Sequence, residues 1–229
     1  MSKKIGIIGA GLMGAEIALV FALAGHEVLL HDRDAAILDR AIGRLRSLME
    51  KGVTRGFYEA GQIEPTLGRI RLVTELASMA DREMVTEAVF EALEVKTAVL
   101  EALVEICPAD CVIASNTSTI PISTLAGTIP AEHRPRFIGT HYFSPVSRMK
   151  LVEVIPGFDT AEETIAFTMG MMAEIGKSPI RVKDVAGFAV NRMLHVFIIE
   201  AVKLVEEGVA WFDDEGAKPV EIPVKVEGQ

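Results

Sequence analysis

The sequence predicts an α/β fold: a doubly wound, mainly parallel sheet with a projecting helical hairpin and one long helix near the C-terminus. Three observations predict it. Short β-like runs alternate with longer helical ones along most of the 229 residues, which is the rhythm of βαβ units. Gly9, Gly11 and Gly14 stand in G-x-G-x-x-G spacing between the first apolar run and the first helical one. A second apolar run then ends in an acid, Asp32. In that order, strand, glycines, helix, strand and acid make the arrangement Rossmann-type.

"KIGIIGA" is a continuous apolar run, as expected of a strand buried on both faces. The first glycine permits the tight turn, the second lets backbone approach a pyrophosphate, and the third lets helix and strand pack closely. The helix N-terminus that follows favours negative charge. The expected cofactor-binding turn is therefore Gly9, Gly11, Leu12, Met13 and Gly14. "EVLLHD" is the second strand, and Asp32 is placed to accept ribose hydroxyls. An acid there repels a 2′-phosphate, so NAD is favoured over NADP, although the neighbouring Arg33 leaves NADP open.

Between Asp34 and Gly61 a long charged stretch exceeds one ordinary crossover and predicts the helical hairpin. "RIRLV", "EMVTEA", "CVIAS", "RFIGT", "KLVEVI" and "PIRVKD" supply six further strands, the later ones mixed in direction. Residues 188–207 read as one long helix, apolar on more than one face, which calls for partners on several sides.

A formal net charge of −9 argues against nucleic acid, whose phosphates need clustered Lys and Arg. No apolar run is long enough to span a bilayer, and the N-terminus lacks the h-region of a signal peptide, so a soluble cytoplasmic protein is expected. Cys107 and Cys111 match neither a C-x-x-C motif nor a zinc set and read as reduced packing or loop residues.

The chemistry is expected at "GTHYFSPVSRMKLVEVI", two apolar strands around a short Pro-containing turn. By strand parity Glu153 shares a face with Leu151 and Ile155, so its carboxylate needs a partner. His141, ending the preceding strand, can be that partner. A carboxylate orients a His, fixes its tautomer and stabilises it when it takes a proton, as oxidation of a carbinol requires of a base. A purely structural His–Glu pair is the alternative.

In "CVIASNTSTIP" small polar residues follow a strand at the sheet's carboxyl edge, where open α/β folds bind ligands. Asn116 and Ser118 are candidates there for a substrate hydroxyl or a ribose, against a capping role. Asn191 either caps the long helix or reaches a substrate carbonyl.

With "GAGLMG", "EAVFEALEVK", "SNTST", "GTHYFSPVSRMKLVEVI" and "VKDVAGFAVNR" in order, the chain resembles the L-3-hydroxyacyl-CoA dehydrogenase family from about residue 3 to about residue 208. That family includes the dehydrogenase part of the multifunctional fatty-acid oxidation enzymes, whose branch "HYFSP" looks like. The resemblance implies NAD as cofactor, an acyl-CoA substrate and a place in β-oxidation. It makes His141 the general base for the 3-hydroxyl, Glu153 its orienting partner, Ser118 a hydrogen-bond partner of the substrate oxygen, and Asn191 a residue that places the thioester. It also brings Glu91 and Lys96, by themselves an ordinary helix-surface pair, to the nicotinamide half of the cofactor. Ser118 and Ser144 join the cofactor contacts, Ser144 standing where many single-function members have Asn. The hairpin is where the family meets CoA, which makes Arg44, Arg46 and Lys51 candidates for its phosphates.

The resemblance divides the chain into an NAD-binding domain, 1–185, and a segment 186–229 made of the first helix of a truncated helical domain and an irregular tail. An uncovered 188–205 helix is then expected to form a homo-oligomer or to dock on another subunit. Two rivals stay open. One is a nucleotide-binding module with little turnover, and the other is a hydroxyacid dehydrogenase acting on a free acid, which normally uses a different lysine motif.

Overall fold

The computed structural model describes residues 2–210. The chain divides into two compact units, Met1–Phe188 and Ala189–Gln229. The first is built on one eight-stranded sheet in the order β3-β2-β1-β4-β5-β6-β7-β8. Its strands are β1 (Lys4–Ile8), β2 (Glu27–His31), β3 (Ile70–Val73), β4 (Met84–Glu87), β5 (Val112–Ser115), β6 (Phe137–Tyr142), β7 (Leu151–Pro156) and β8 (Ser178–Arg181). Every neighbour pair is parallel except β6 and β7. The chain leaves β1 toward β3 and returns to the other side at β4, so a switch point lies between β1 and β4, where such sheets bind ligands beyond the strands' carboxyl ends.

Helices cover both faces because strand side chains alternate and both sets are apolar. On one face α1 (Leu12–Leu23), α2 (Ala35–Thr54) and α6 (Glu162–Glu174) pack over Ile5, Ile7, Val28, Val152 and Val154. On the other, α4 (Leu93–Ile106) and α5 (Ile122–Ala126) pack over Ile8, Leu29, Val85, Ile113 and Ile155. The central α1 is buried almost throughout, from Gly14 to Ala22.

The expected hairpin is uneven. Its first arm is α2, capped at its N-terminus by Asp34, whose carboxylate accepts from the Ala36 N–H at 2.8 Å. The helix lays Leu38, Ala41, Leu45 and Met49 into the core. The return arm is only a 3₁₀ turn, Ala60–Gln62, and the five-residue α3, Ile63–Leu67.

In the second unit α7 spans Val190–Glu206, with Ala189 at its N-cap. Along it Met193, Val196, Phe197 and Ile199 are each more than half exposed. The irregular tail anticipated after this helix falls, from residue 211, outside the described residues.

Candidate active site

The glycine turn is shaped by close backbone approach. Gly9 takes φ +96°, and its N–H donates to the His31 carbonyl at 2.8 Å. A Cβ on Gly14 would stand 1.8 Å from the Gly9 carbonyl oxygen, so only glycine lets α1 start this close to β1. A Cβ on Gly11 would meet nothing within 4 Å, which leaves open space over the turn. Gly11 is also the N-cap of α1, no side chain satisfies that cap, and the first turn holds no acid. The N–H groups of Leu12 and Met13 therefore begin a helix whose positive end is available to an anion. From the end of β2, Asp32 braces the turn: Oδ2 accepts from the Ala10 N–H at 3.0 Å and Oδ1 from the Asp34 N–H at 3.2 Å. Open space, free helix N-terminus and carboxylate together fit a dinucleotide.

Further along the same carboxyl edge, β6 and β7 pair His141 directly opposite Glu153. Glu153 is fully buried and His141 nearly so. Glu153 Oε2 lies 2.7 Å from His141 Nδ1, and His141 Nε2 lies 3.1 Å from Ser118 Oγ. A carboxylate only accepts, so the proton of the first contact belongs to Nδ1 and the lone pair on Nε2 faces Ser118. Glu153 sits on the face of Ile155, opposite Val152 and Val154, as its parity requires. Phe143 meets the imidazole edge-on at 4.6 Å between ring centroids, and Phe188 lies at 5.6 Å. Phe188 follows Gly187 (φ +74°) with φ +48°, left-handed backbone that an aromatic residue rarely adopts. Its burial against the His141 ring is the compensation the structure offers. Nothing in the composition around Phe188 signals this, apart from the glycine before it.

Ser118 is held in place by charge. Glu91 Oε1 accepts from Thr117 Oγ1 (2.5 Å), from the Ser118 N–H (2.8 Å), and from the N–H and Oγ1 of Thr119 (3.0 and 2.9 Å). Its Oε2 lies 3.2 Å from Lys96 Nζ, which is 2.8 Å from Glu87 Oε1. Glu87 in turn accepts from Ser115 Oγ at 2.6 Å and from the Val89 N–H at 2.7 Å. Partial burial of Glu91 would push its carboxyl upward. The Thr117 hydroxyl, the Lys96 ammonium, the Ser118 N–H and Thr119 outweigh it and hold the group down at about 2. The helix-surface reading of Glu91 and Lys96 is therefore corrected, because Lys96 is fully buried between two carboxylates. Glu87, the second carboxylate on Lys96, goes unread in the sequence because "EMVTEA" registers there only as a strand.

Asn116 is already engaged: its Oδ1 accepts from the Tyr142 N–H at 3.1 Å and joins the ends of β5 and β6. Asn191 belongs to the second unit, in the first turn of α7, and is not its N-cap.

Ser144 is exposed and starts the loop between β6 and β7, with a cis bond to Pro145. That loop is tied down. Buried Glu16 accepts from the Ser147 N–H at 2.9 Å, and Lys177 donates to the carbonyls of Val146 and, at 2.9 Å, Met149. The Arg148 guanidinium stacks 3.4 Å from the Phe57 ring centroid. Between this loop and α2 lies a cleft of about 420 Å³ lined by Arg44, Lys51, Arg55 and Arg148, and by no carboxylate. Of the three basic residues singled out on the hairpin, Lys51 and Arg44 line it, although Arg44 Nη2 also donates to the Ala10 carbonyl at 3.0 Å. Arg46 is paired with Glu64 through both carboxylate oxygens and does not line the cleft. Arg55 and Arg148 went unread because one sits in a turn and the other is distant in sequence.

A glycine turn shaped for a dinucleotide and a carboxylate-held His lie on one edge of a doubly wound sheet, the arrangement of a Rossmann-type nucleotide-binding domain. Residues 4–185 match the family model described as 3-hydroxyacyl-CoA dehydrogenase, NAD binding domain, and the chain belongs to that family. It is 40% identical over 208 residues to 3-hydroxyadipyl-CoA dehydrogenase of Escherichia coli, a match covering 91% of this chain and 43% of that one. To a Deinococcus radiodurans protein named "Probable 3-hydroxybutyryl-CoA dehydrogenase" it is 40% identical, over 90% of this chain and 73% of the relative. The crystal structure of (S)-3-hydroxybutyryl-CoA dehydrogenase from Ralstonia eutropha superposes with a TM-score of 0.87 at 34% identity, covering 92% of this chain and 74% of that one. The chain thus spans less than half the length of the first relative and about three quarters of the other two. Among the described residues no helix is long and apolar enough to cross a membrane.

Proposed function

We propose that the chain interconverts (S)-3-hydroxyacyl-CoA and 3-oxoacyl-CoA with NAD, in fatty-acid β-oxidation or related acyl-CoA metabolism. The observation that carries this reading is the Glu153–His141–Ser118 line, 2.7 and 3.1 Å long, at the carboxyl edge of the sheet. The turn at Gly9, Gly11, Leu12, Met13 and Gly14 holds the pyrophosphate and Asp32 the adenosine ribose, while Glu91, Lys96, Ser118 and Ser144 border the nicotinamide half. Bound NAD supplies the acceptor for the hydride leaving C3.

His141 Nε2 takes the 3-hydroxyl proton as the C3–H bond breaks, and Ser118 Oγ hydrogen-bonds the same oxygen. Glu153 keeps the imidazole in the tautomer that can do this. In the reverse direction the imidazolium returns the proton to the alkoxide oxygen. The cationic cleft of Lys51, Arg55 and Arg148 suits the phosphates of CoA, and Asn191 is assigned to the thioester. The test is NADH formation from NAD and (S)-3-hydroxybutyryl-CoA, with an NAD-binding titration on the same sample.

The exposed apolar residues of α7 favour one further reading, in which the chain self-associates or docks on another subunit through residues 188–205. NAD binding without turnover by the isolated chain selects a partner-dependent module over an autonomous enzyme.

A further inference from the structure

The Glu87–Lys96–Glu91 network does more than hold the loop after β5, because its charges do not cancel. Glu87 Oε1 accepts from Lys96 Nζ at 2.8 Å and from the Val89 N–H at 2.7 Å, and Oε2 accepts from Ser115 Oγ at 2.6 Å. All three partners are donors, the set that an ionised carboxylate accepts. Glu91 Oε2 takes the other side of the same ammonium at 3.2 Å. Two carboxylates thus share one cation, and no other ion pair reaches either of them among the described residues. One negative charge is left over. Glu87 and Lys96 are fully buried, so salt and water screen it weakly. A structural bridge between β4 and α4 needs only one carboxylate opposite Lys96, and an unbalanced buried charge costs folding energy.

The network connects the dinucleotide turn to the reacting base. Glu87 ends β4 beside the switch point, with Ile8 of β1 as its register partner. The Ala88 N–H donates to the Ile8 carbonyl at 2.8 Å, and a Cβ on Gly9 would stand 2.7 Å from the Ala88 carbonyl oxygen. The segment after Glu87 is therefore pressed against the glycine turn. On the other side Glu91 accepts from the Ser118 N–H at 2.8 Å, and Ser118 Oγ lies 3.1 Å from His141 Nε2. A nicotinamide ring that takes hydride from a carbon whose oxygen sits on His141 and Ser118 must lie beside this loop. The oxidised ring is a pyridinium with one positive charge. Hydride brings it two electrons and a proton, so the reduced ring is neutral. A fixed negative charge nearby then distinguishes the two forms.

We propose that the excess negative charge of the Glu87–Lys96–Glu91 network favours the oxidised cofactor over the reduced one, and that Glu87 sets this preference. The preference rests on the hydride-transfer reading of the site, which brings the ring beside Ser118. Glu87 touches neither Ser118 nor His141, so it acts through the field and not as a catalytic residue. By stabilising the cationic ring, the charge makes bound NADH a stronger hydride donor and tilts the bound equilibrium toward the 3-hydroxy compound.

The test needs no turnover. Dissociation constants for NAD and for NADH are measured by titration on wild type, Glu87→Gln, Glu91→Gln and Ser115→Ala, with a melting curve to show that each is folded. Glu87→Gln removes the excess charge at nearly constant shape and is expected to raise the ratio of the NAD constant to the NADH constant roughly three- to tenfold. Glu91→Gln makes the same change of charge on a partly exposed group and should move the ratio the same way, which keeps the test decisive if Glu87→Gln does not fold. Ser115→Ala removes the 2.6 Å bond to Glu87 without changing charge, and should leave the ratio at the wild-type value. An unchanged ratio in Glu87→Gln, or in Glu91→Gln where that variant stands alone, overturns the proposal, as does an equal rise in Ser115→Ala. Wild type that binds neither form overturns the dinucleotide reading and the charge preference with it. Wild type that binds both forms leaves that reading standing whatever the ratio does in the variants.

Discussion

His141 and Glu153 sit opposite each other on neighbouring strands, and the imidazole has no freedom to turn away, because Phe143 and Phe188 close on its ring. If Nε2 accepts the hydroxyl proton, His141→Gln lowers kcat by roughly a hundredfold or more, the usual scale for a lost general base. NAD affinity should stay at the wild-type value, and a titration beside the kinetics reads both. Unchanged turnover would remove His141 from the chemistry. At the other end of the edge, Asp32→Ala is expected to weaken NAD binding several-fold. Part of that loss is mechanical, because Asp32 also holds the Ala10 N–H at 3.0 Å. Asp32→Asn, which keeps an acceptor oxygen, should recover the brace, and the difference in NAD affinity between the two variants measures the part due to charge.

For the elements, the glycine turn offers a paired test. Gly14→Ala forces a Cβ within 1.8 Å of a backbone oxygen and should cost upwards of roughly 3 kcal/mol, the top of the usual overpacking range, together with NAD binding. Gly11→Ala meets no atom within 4 Å, so its thermal midpoint should match wild type while NAD binding falls. Equal NAD affinity in Gly11→Ala and wild type would mean that the cofactor does not cross this turn. The loop after β5 gives a pH prediction. Glu91 is held below the ordinary glutamate value, so its contribution to stability is complete above about pH 4.5 and is lost as pH falls toward about 2. Acid titration of the melting temperature should be shallower in that window for Glu91→Gln. Strands, glycine turn and the parity of Glu153 were legible in the sequence because each is a local pattern of period or spacing. The Glu87–Lys96–Glu91 network was not, since its members lie on different elements and Lys96 has the composition of a surface residue. Phe188 was equally hidden, because a left-handed φ at an aromatic position leaves no compositional trace.

At the scale of the whole molecule, α7 carries Met193, Val196, Phe197 and Ile199 more than half exposed, more apolar surface than one helix ordinarily shows to water. Sedimentation velocity across a concentration series is expected to show association, and Phe197→Glu should shift it toward monomer. A single monomeric species at all concentrations would refute self-association through α7. The placement of the His141–Glu153 pair has a consequence for how the molecule wears out. The ladder that sets its register, β6 against β7, is flanked by β5 and β8, so neither of its two strands is an edge of the sheet. Amide protons of Thr140 and Val154 should exchange only through the deepest openings of the fold. On slow heating, loss of activity and loss of secondary structure should then follow one curve, with no inactive but folded species in between.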